Sequence, residues 1–200
     1  MGWSYYATGN ISPWGFHELA LDPTYGASIG VLRGTGTAFE LGVEGLYERL
    51  APQRGTGVFL YCEPDATGCQ SGPAPCTIDT PGCIREENST EFRSEKLQLI
   101  AVARLRRLRG TVRPYAESSM GLYYAHSRDR GSTVFSGAET WTNQWDYPSS
   151  GVGLLLGLGG GLELPVGSRL GLVVLTRLHA QIGNEAARLT PTFGLGARLR

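Results

Sequence analysis

The sequence predicts an all-β chain of eight antiparallel strands, closed as an up-and-down transmembrane β-barrel. Three observations lead there. Stretches about ten residues long alternate apolar with small or charged residues; Phe193-Gly194-Leu195-Gly196-Ala197-Arg198-Leu199-Arg200 puts Phe193, Leu195, Ala197 and Leu199 on one face. The connections between such stretches alternate long and short. Glycine accounts for 29 of 200 residues, about twice its usual share. That is too much for helices and lacks a collagen period, whereas Gly/Pro punctuation of short apolar runs reads as strands.

Taken in order, the first strand runs from about Trp3 to Thr8 and the second from Thr24 to Leu32, ended by Arg33-Gly34-Thr35-Gly36. The third spans Ala38 to Leu50, and an insertion covers Ala51 to Glu95. Lys96 to Leu108 is the fourth, turned by Arg109-Gly110, and Arg113 to Ser127 the fifth. A second insertion covers Asp129 to Ser150. The sixth runs from Gly151 to Pro165, with a turn at Val166-Gly167-Ser168. The seventh runs from Arg169 to Ile182, and a loop from Gly183 to Thr190 leads to the eighth. Connections two, four and six are short, so the long ones share one end of the meander and both termini the other. The chain is read as a single domain over 1–200, with the loop insertion at about 51–95.

The faces separate by parity. Phe39, Leu41, Val43, Gly45 and Tyr47 oppose Glu40, Gly42, Glu44, Leu46 and Glu48. Leu154, Leu156, Leu158, Leu162 and Leu164 oppose Gly153, Gly157, Gly159, Gly161 and Glu163. Leu170, Leu172, Val174, Leu178 and Ile182 oppose Gly171, Arg177, His179 and Gln181. Two barrels fit this alternation: a soluble lipocalin-like carrier with the apolar face inward around a ligand, or a membrane barrel with it outward. Glycine mixed with Glu and Arg suits the narrow interior of an eight-stranded barrel better than a water-facing sheet, which favours the membrane barrel. Phe39 and Tyr47 also lie about 20 Å apart once strand tilt is allowed for, near the spacing of two aromatic girdles.

Composition excludes other classes. Lys+Arg and Asp+Glu are 18 each, so there is no electrostatic case for nucleic acid. The most apolar run, Gly151 to Leu162, is too short for a spanning helix. Met1-Gly2-Trp3-Ser4 carries no basic stretch with an apolar run behind it, so an exported protein is expected here in mature form.

Four cysteines, Cys62, Cys69, Cys76 and Cys83, stand seven residues apart in the longest loop. Asp65 and Gly68, and again Asp79 and Gly82, form Asp-x-x-Gly turns that fold each segment back on itself. Cys62–Cys69 and Cys76–Cys83 are the expected disulfides among three connectivities, and they imply an oxidising compartment. A four-cysteine zinc site would need paired C-x-x-C spacing, which is missing. Glu40, Glu44, Glu48, Glu117 and Glu163 share the predicted inward face with Arg104, Arg106, Arg177 and Arg198. Such charges are expected to pair as a salt-bridge network that fills the barrel, the alternative being a gated ion path. His126, Ser127 and Asp129 cluster at the end of the fifth strand, but neighbours on a strand point apart, so no nucleophile–base pair is expected. Trp14, Phe16, Trp141, Trp145 and Tyr147 fall in predicted loops, as contact aromatics or as packing on the rim.

The chain resembles the small outer-membrane β-barrel family, eight-stranded barrels like the transmembrane domain of outer membrane protein A. Arg113-Pro114-Tyr115-Ala116-Glu117-Ser118-Ser119-Met120-Gly121-Leu122-Tyr123-Tyr124 and Gly151 through Arg200 carry the resemblance most strongly. The family usually ends in an aromatic residue read by the assembly machinery; this chain ends Ala197-Arg198-Leu199-Arg200. The resemblance implies a bacterial outer-membrane location, short periplasmic turns and long extracellular loops. The expected role is non-enzymatic: structural, anchoring or surface-display, with outer-membrane lipid around it, no cofactor or metal, and a protein partner at the loops or in an envelope assembly. An outer-membrane enzyme acting on lipid or peptide is the competing expectation.

Overall fold

The structure, a computed structural model, describes residues 2–14, 22–35, 38–62, 83–136, 139–183 and 187–200. Every regular element among them is a strand: β1 (Trp3–Trp14), β2 (Asp22–Gly34), β3 (Phe39–Leu50), β4 (Gln53–Cys62), β5 (Cys83–Arg106), β6 (Arg113–Ser136), β7 (Thr140–Pro165), β8 (Leu170–Ile182) and β9 (Ala187–Leu199). The sheet order is β3-β2-β1-β9-β8-β7-β6-β5-β4, and an additional β3–β5 pairing closes the ring. β3 and β4 both pair with β5, over Arg49↔Glu95 to Phe39↔Leu105 and over Cys62↔Cys83 to Gln53↔Phe92 respectively. β3 pairs with the later part of β5 and β4 with its earlier part, and among the described residues the closed ring has eight strand positions: β1, β2, β3, β5, β6, β7, β8 and β9.

The chain forms two compact units. The barrel unit comprises 1–51, 94–126 and 150–200, and the second unit 52–93 and 127–149. The predicted insertions are thus not loops throughout. Within 51–95 the structure has β4 and the first part of β5, and within 129–150 it has parts of β6 and β7. The period-2 signal fails there because Cys83-Ile84-Arg85-Glu86-Glu87-Asn88-Ser89-Thr90-Glu91 has no apolar face to alternate, while the backbone ladder needs none. β1 likewise continues beyond Thr8 to Trp14, and β9 begins at Ala187.

In the barrel unit the short turns are closed by backbone hydrogen bonds: Thr35 N–H to Phe39 O (3.2 Å), Arg107 N–H to Pro114 O (3.0 Å) and Val166 N–H to Leu170 O (2.9 Å). Gly110 takes φ +109° in the second of these, a conformation an L side chain resists.

The apolar face points outward. Leu156, Leu172 and Leu195 are 47%, 49% and 67% exposed, and Ile29, Leu41, Val43, Leu99, Leu158 and Leu178 lie on the same surface. In the barrel unit the exposed aromatics fall at two heights, with Trp3, Tyr5 and Phe39 near the short turns and Tyr25, Tyr47, Tyr124 and Phe193 away from them. An aliphatic belt between two aromatic girdles is the outer surface of a barrel in lipid. The lipocalin-like alternative is corrected here: a carrier would bury these leucines around a cavity, whereas most of the buried residues are polar or charged, Ser4, Thr8, Asn10, Glu40, Glu44 and Arg104 among them.

Inward-facing glycines accommodate large inward side chains. A Cβ on Gly30 would stand 2.4 Å from the Tyr6 ring, and one on Gly157 would stand 2.6 Å from His179 Cδ2. Two small apolar clusters complete the interior, one built on Tyr6, Leu32, Leu46, Ile100, Val102 and Leu155, the other on Tyr115, Val173 and Leu175.

Candidate functional site

Charge concentrates in the barrel interior. All nine charged residues expected on the inward face lie there, eight of them fully buried and Arg106 partly so. Period-2 geometry requires this once the leucines face out, because each alternates with a leucine or other outward residue.

One ion pair crosses the barrel. Arg177 on β8 donates from Nη1 and Nη2 to the two carboxylate oxygens of Glu44 on β3, at 2.7 and 2.6 Å. β8 and β3 stand four places apart in the eight-position ring, on opposite walls. The same guanidinium donates to Glu117 on β6. Arg104 donates to Glu117 at 3.1 and 2.9 Å, and its guanidinium lies 4.2 Å from the centre of the Tyr115 ring. The Tyr6 hydroxyl donates to Glu44 at 2.5 Å. Bidentate Arg–carboxylate geometry fixes orientation as well as charge.

Toward the short turns, Arg198 donates to Glu40 (2.5 Å), Glu163 (3.2 Å) and the Ser4 hydroxyl (2.7 Å). Arg106 pairs with Glu40 at 2.7 Å, and Arg200 pairs with Glu163. Toward the other end, Glu48 accepts from Gln98 (2.6 Å) and Ser12 (3.0 Å), and Lys96 lies 3.8 Å from it. Lys96 also donates to Gln181 at 2.8 Å. Five carboxylates therefore meet six cations: Glu40, Glu44, Glu48, Glu117 and Glu163 against Lys96, Arg104, Arg106, Arg177, Arg198 and Arg200. Each carboxylate has a cation within 4 Å, which is the arrangement a narrow interior demands of buried charge.

Several participants escape sequence reading: Lys96, Gln98 and Tyr6. The parity of Ser4, Tyr6 and Thr8 could have revealed Tyr6. Lys96 and Gln98 share a face with Ile100 and Val102, and these two apolar residues separate them from Arg104 and Arg106, so the alternation is legible only at the arginine end of that strand. His179 is buried beside Gly157, as its predicted face requires. His126 is exposed and Ser127 half-buried, on alternate faces of β6.

In the second unit, Glu91 accepts from Arg93 (2.8 Å), Arg130 (2.8 Å at Nε) and Arg54 (3.3 Å). Hydrogen bonding from Arg93, then Arg130, holds its carboxyl down at about 2. Arg128 donates to Asp146, Nε to Oδ1 at 2.7 Å, and holds that carboxyl below its usual range. Trp141 stacks on Phe135 with ring centres 3.8 Å apart and Tyr147 is exposed, whereas Phe16 and the Trp14 side chain lie outside the described residues. Cys83 is disulfide-bonded. Its partner, with the side chains of Cys62, Cys69 and Cys76, lies outside the described residues, although the backbone of Cys62 is the register partner of Cys83.

No protein-family model and no curated protein matches the sequence. Among solved structures, Neisserial surface protein A aligns at 14% identity and TM-score 0.50, over 98% of this chain and 94% of that one. A major outer membrane protein from Thermus thermophilus aligns at 14% identity and TM-score 0.46, over 99% and 98% of the two chains. Ail, the attachment invasion locus protein of Yersinia pestis, aligns at 13% identity and TM-score 0.42, over 98% and 96%. The alignment with the neisserial protein spans the whole ring, in agreement with the closed sheet and the outward leucine belt: this chain has the fold of the small outer-membrane β-barrels.

Proposed function

We propose that the protein is a non-enzymatic integral barrel of the bacterial outer membrane whose interior serves structure. Its role is to anchor and display the second unit to ligands or protein partners at the cell surface. The observation that carries this reading is the Arg177–Glu44 pair, which joins opposite walls of the barrel through two hydrogen bonds. A bidentate pair across the axis, flanked by Arg104–Glu117 and Arg198–Glu40, spends the interior charges on one another rather than on a transported ion or a substrate. The inward glycines support the same reading, because they are needed where Tyr6, Tyr115 and His179 fill the space.

The test is cell fractionation with surface proteolysis and planar-bilayer recording. The protein is expected in the outer-membrane fraction, with external protease cutting within 52–93 or 127–149 while the barrel strands stay protected. Reconstituted protein is expected to give no steady conductance. Recovery in the soluble fraction, or a reproducible ion-selective current, overturns the proposal.

A further inference from the structure

The short-turn end of the barrel unit carries exposed charge of one sign. Arg33, Arg107, Arg109 and Arg169 are exposed there and Arg113 is half-buried, and none of the five pairs with a carboxylate among the described residues. The sequence supplies the reason: no Asp or Glu occurs in 23–39, 96–116, 164–184 or 186–200, the segments that make the short turns and much of their flanking strands. Glu40 and Glu163, the carboxylates just inside the turns, are buried and taken up by Arg106, Arg198 and Arg200. The whole chain has 18 cationic and 18 anionic side chains, so this segregation is not a matter of composition.

The placement of these arginines points to what neutralises them. Arg33 stands opposite Trp3 and Leu41 in the ladder, both exposed on the outward face, and its guanidinium lies 5.4 Å from the centre of the Trp3 ring. It therefore sits at the foot of the aliphatic belt, beside the aromatic girdle of that end. Arg107 comes two residues after outward-facing Leu105 and continues the same face. Leu108, Val112 and Val166 are exposed in the turns beside the arginines. Guanidiniums mixed with apolar side chains match the head-group layer of a bilayer, where the stems stay in hydrocarbon and the charged ends reach lipid phosphate. An acidic protein docked on the turns would leave Arg33 and Arg107, on the lipid side, without a counter-charge. We infer that this arginine rim binds anionic phospholipid in the leaflet on the short-turn side. The inference rests on the membrane-barrel reading above and adds the head-group class that the barrel prefers.

Trp3 reports on this rim directly. The full chain with Trp3 as its one tryptophan (Trp14→Phe, Trp141→Phe, Trp145→Phe) is refolded into mixed phosphatidylcholine–phosphatidylglycerol vesicles. Brominated acyl chains are placed on one lipid or the other, and quenching of Trp3 gives their relative occupancy at the rim. One arginine at a charged bilayer surface is worth about fivefold in enrichment, so phosphatidylglycerol is expected to be favoured about fivefold or more at low salt, and less as salt rises. Arg33→Gln with Arg107→Gln and Arg109→Gln should bring the preference to within about twofold of equality. Arg49→Gln with Arg85→Gln and Arg188→Gln removes the same charge away from the short turns and should leave the preference in place. Native mass spectrometry of lipid adducts reads the same preference on the unsubstituted chain, so the outcome does not depend on any variant refolding. Equal quenching by the two lipids, a preference untouched by the rim substitutions, or one lost equally with the distant three overturns the inference. Quenching without preference refutes the head-group selection and leaves the barrel in lipid, whereas no quenching by either lipid refutes both.

Discussion

Replacing Arg177 by methionine strands a buried charge in the middle of the barrel, and the structure sets how much that costs. Glu117 keeps both of its bonds from Arg104, at 3.1 and 2.9 Å, so it stays compensated. Glu44 loses the one guanidinium that pairs with it among the described residues and retains the Tyr6 hydroxyl at 2.5 Å. One carboxylate is stranded rather than two, which places the loss at about 3–5 kcal/mol, the range for breaking one buried pair. Removing both charges, in Arg177→Met with Glu44→Gln, leaves nothing uncompensated, so the double variant is expected to lose only about 1 kcal/mol. The double variant is then expected to be about 2–4 kcal/mol more stable than Arg177→Met alone. The assay is equilibrium urea unfolding in lipid vesicles, followed by tryptophan fluorescence and by the mobility of folded and unfolded bands on unheated gels. If Arg177→Met costs less than about 1 kcal/mol, or the double variant is as unstable as the single, the cross-axis pair does not hold the barrel together and the structural account of the interior fails.

Four further outcomes follow from the same geometry. Leu158→Arg, near the middle of the belt and 71% exposed, should destabilise the barrel in lipid by about 2–4 kcal/mol, against about 0–1 for Leu189→Arg near the strand end, both read from urea curves. Gly161→Ala should cost about 1–3 kcal/mol and lower the refolding yield, because its Cβ would lie 2.0 Å from the Val174 carbonyl oxygen; an unchanged yield and midpoint would contradict the inward packing. Non-reducing peptide mapping is expected to link Cys62 to Cys83, since residues directly opposite on antiparallel strands have the Cα separation a disulfide spans, and recovery of a Cys76–Cys83 peptide would restore the pairing expected from the spacing. The Glu91 carboxyl is held at about 2, below the ~4.3 of an unfolded glutamate, so its ion pairs contribute fully above that unfolded value. They weaken as pH falls from about 4 toward 2, and hydrogen exchange in 83–93, divided at each pH by the intrinsic amide rate, should stay flat from pH 7 to 5 and rise only in that acid window. A rise already at pH 6 would count against the clamp.

The alternation of Phe39 to Glu48, of Leu154 to Leu164 and of Leu170 to Ile182 determined without coordinates that this chain makes strands with two unlike faces. It also determined which residues share each face, because side chains on a strand alternate by geometry alone. The glutamates and arginines of the interior were legible for that reason. Which charges meet was not legible: Arg177 and Glu44 are 133 residues apart, and only closure of the ring sets β8 opposite β3. The strands of the second unit were hidden for a related reason. A ladder solvated on both faces leaves no hydrophobic period, and the change of pairing from β3 to β4 along β5 is a property of the sheet. Parity belongs to the local chain; the partner across the barrel belongs to the closed structure, where distance in sequence no longer counts.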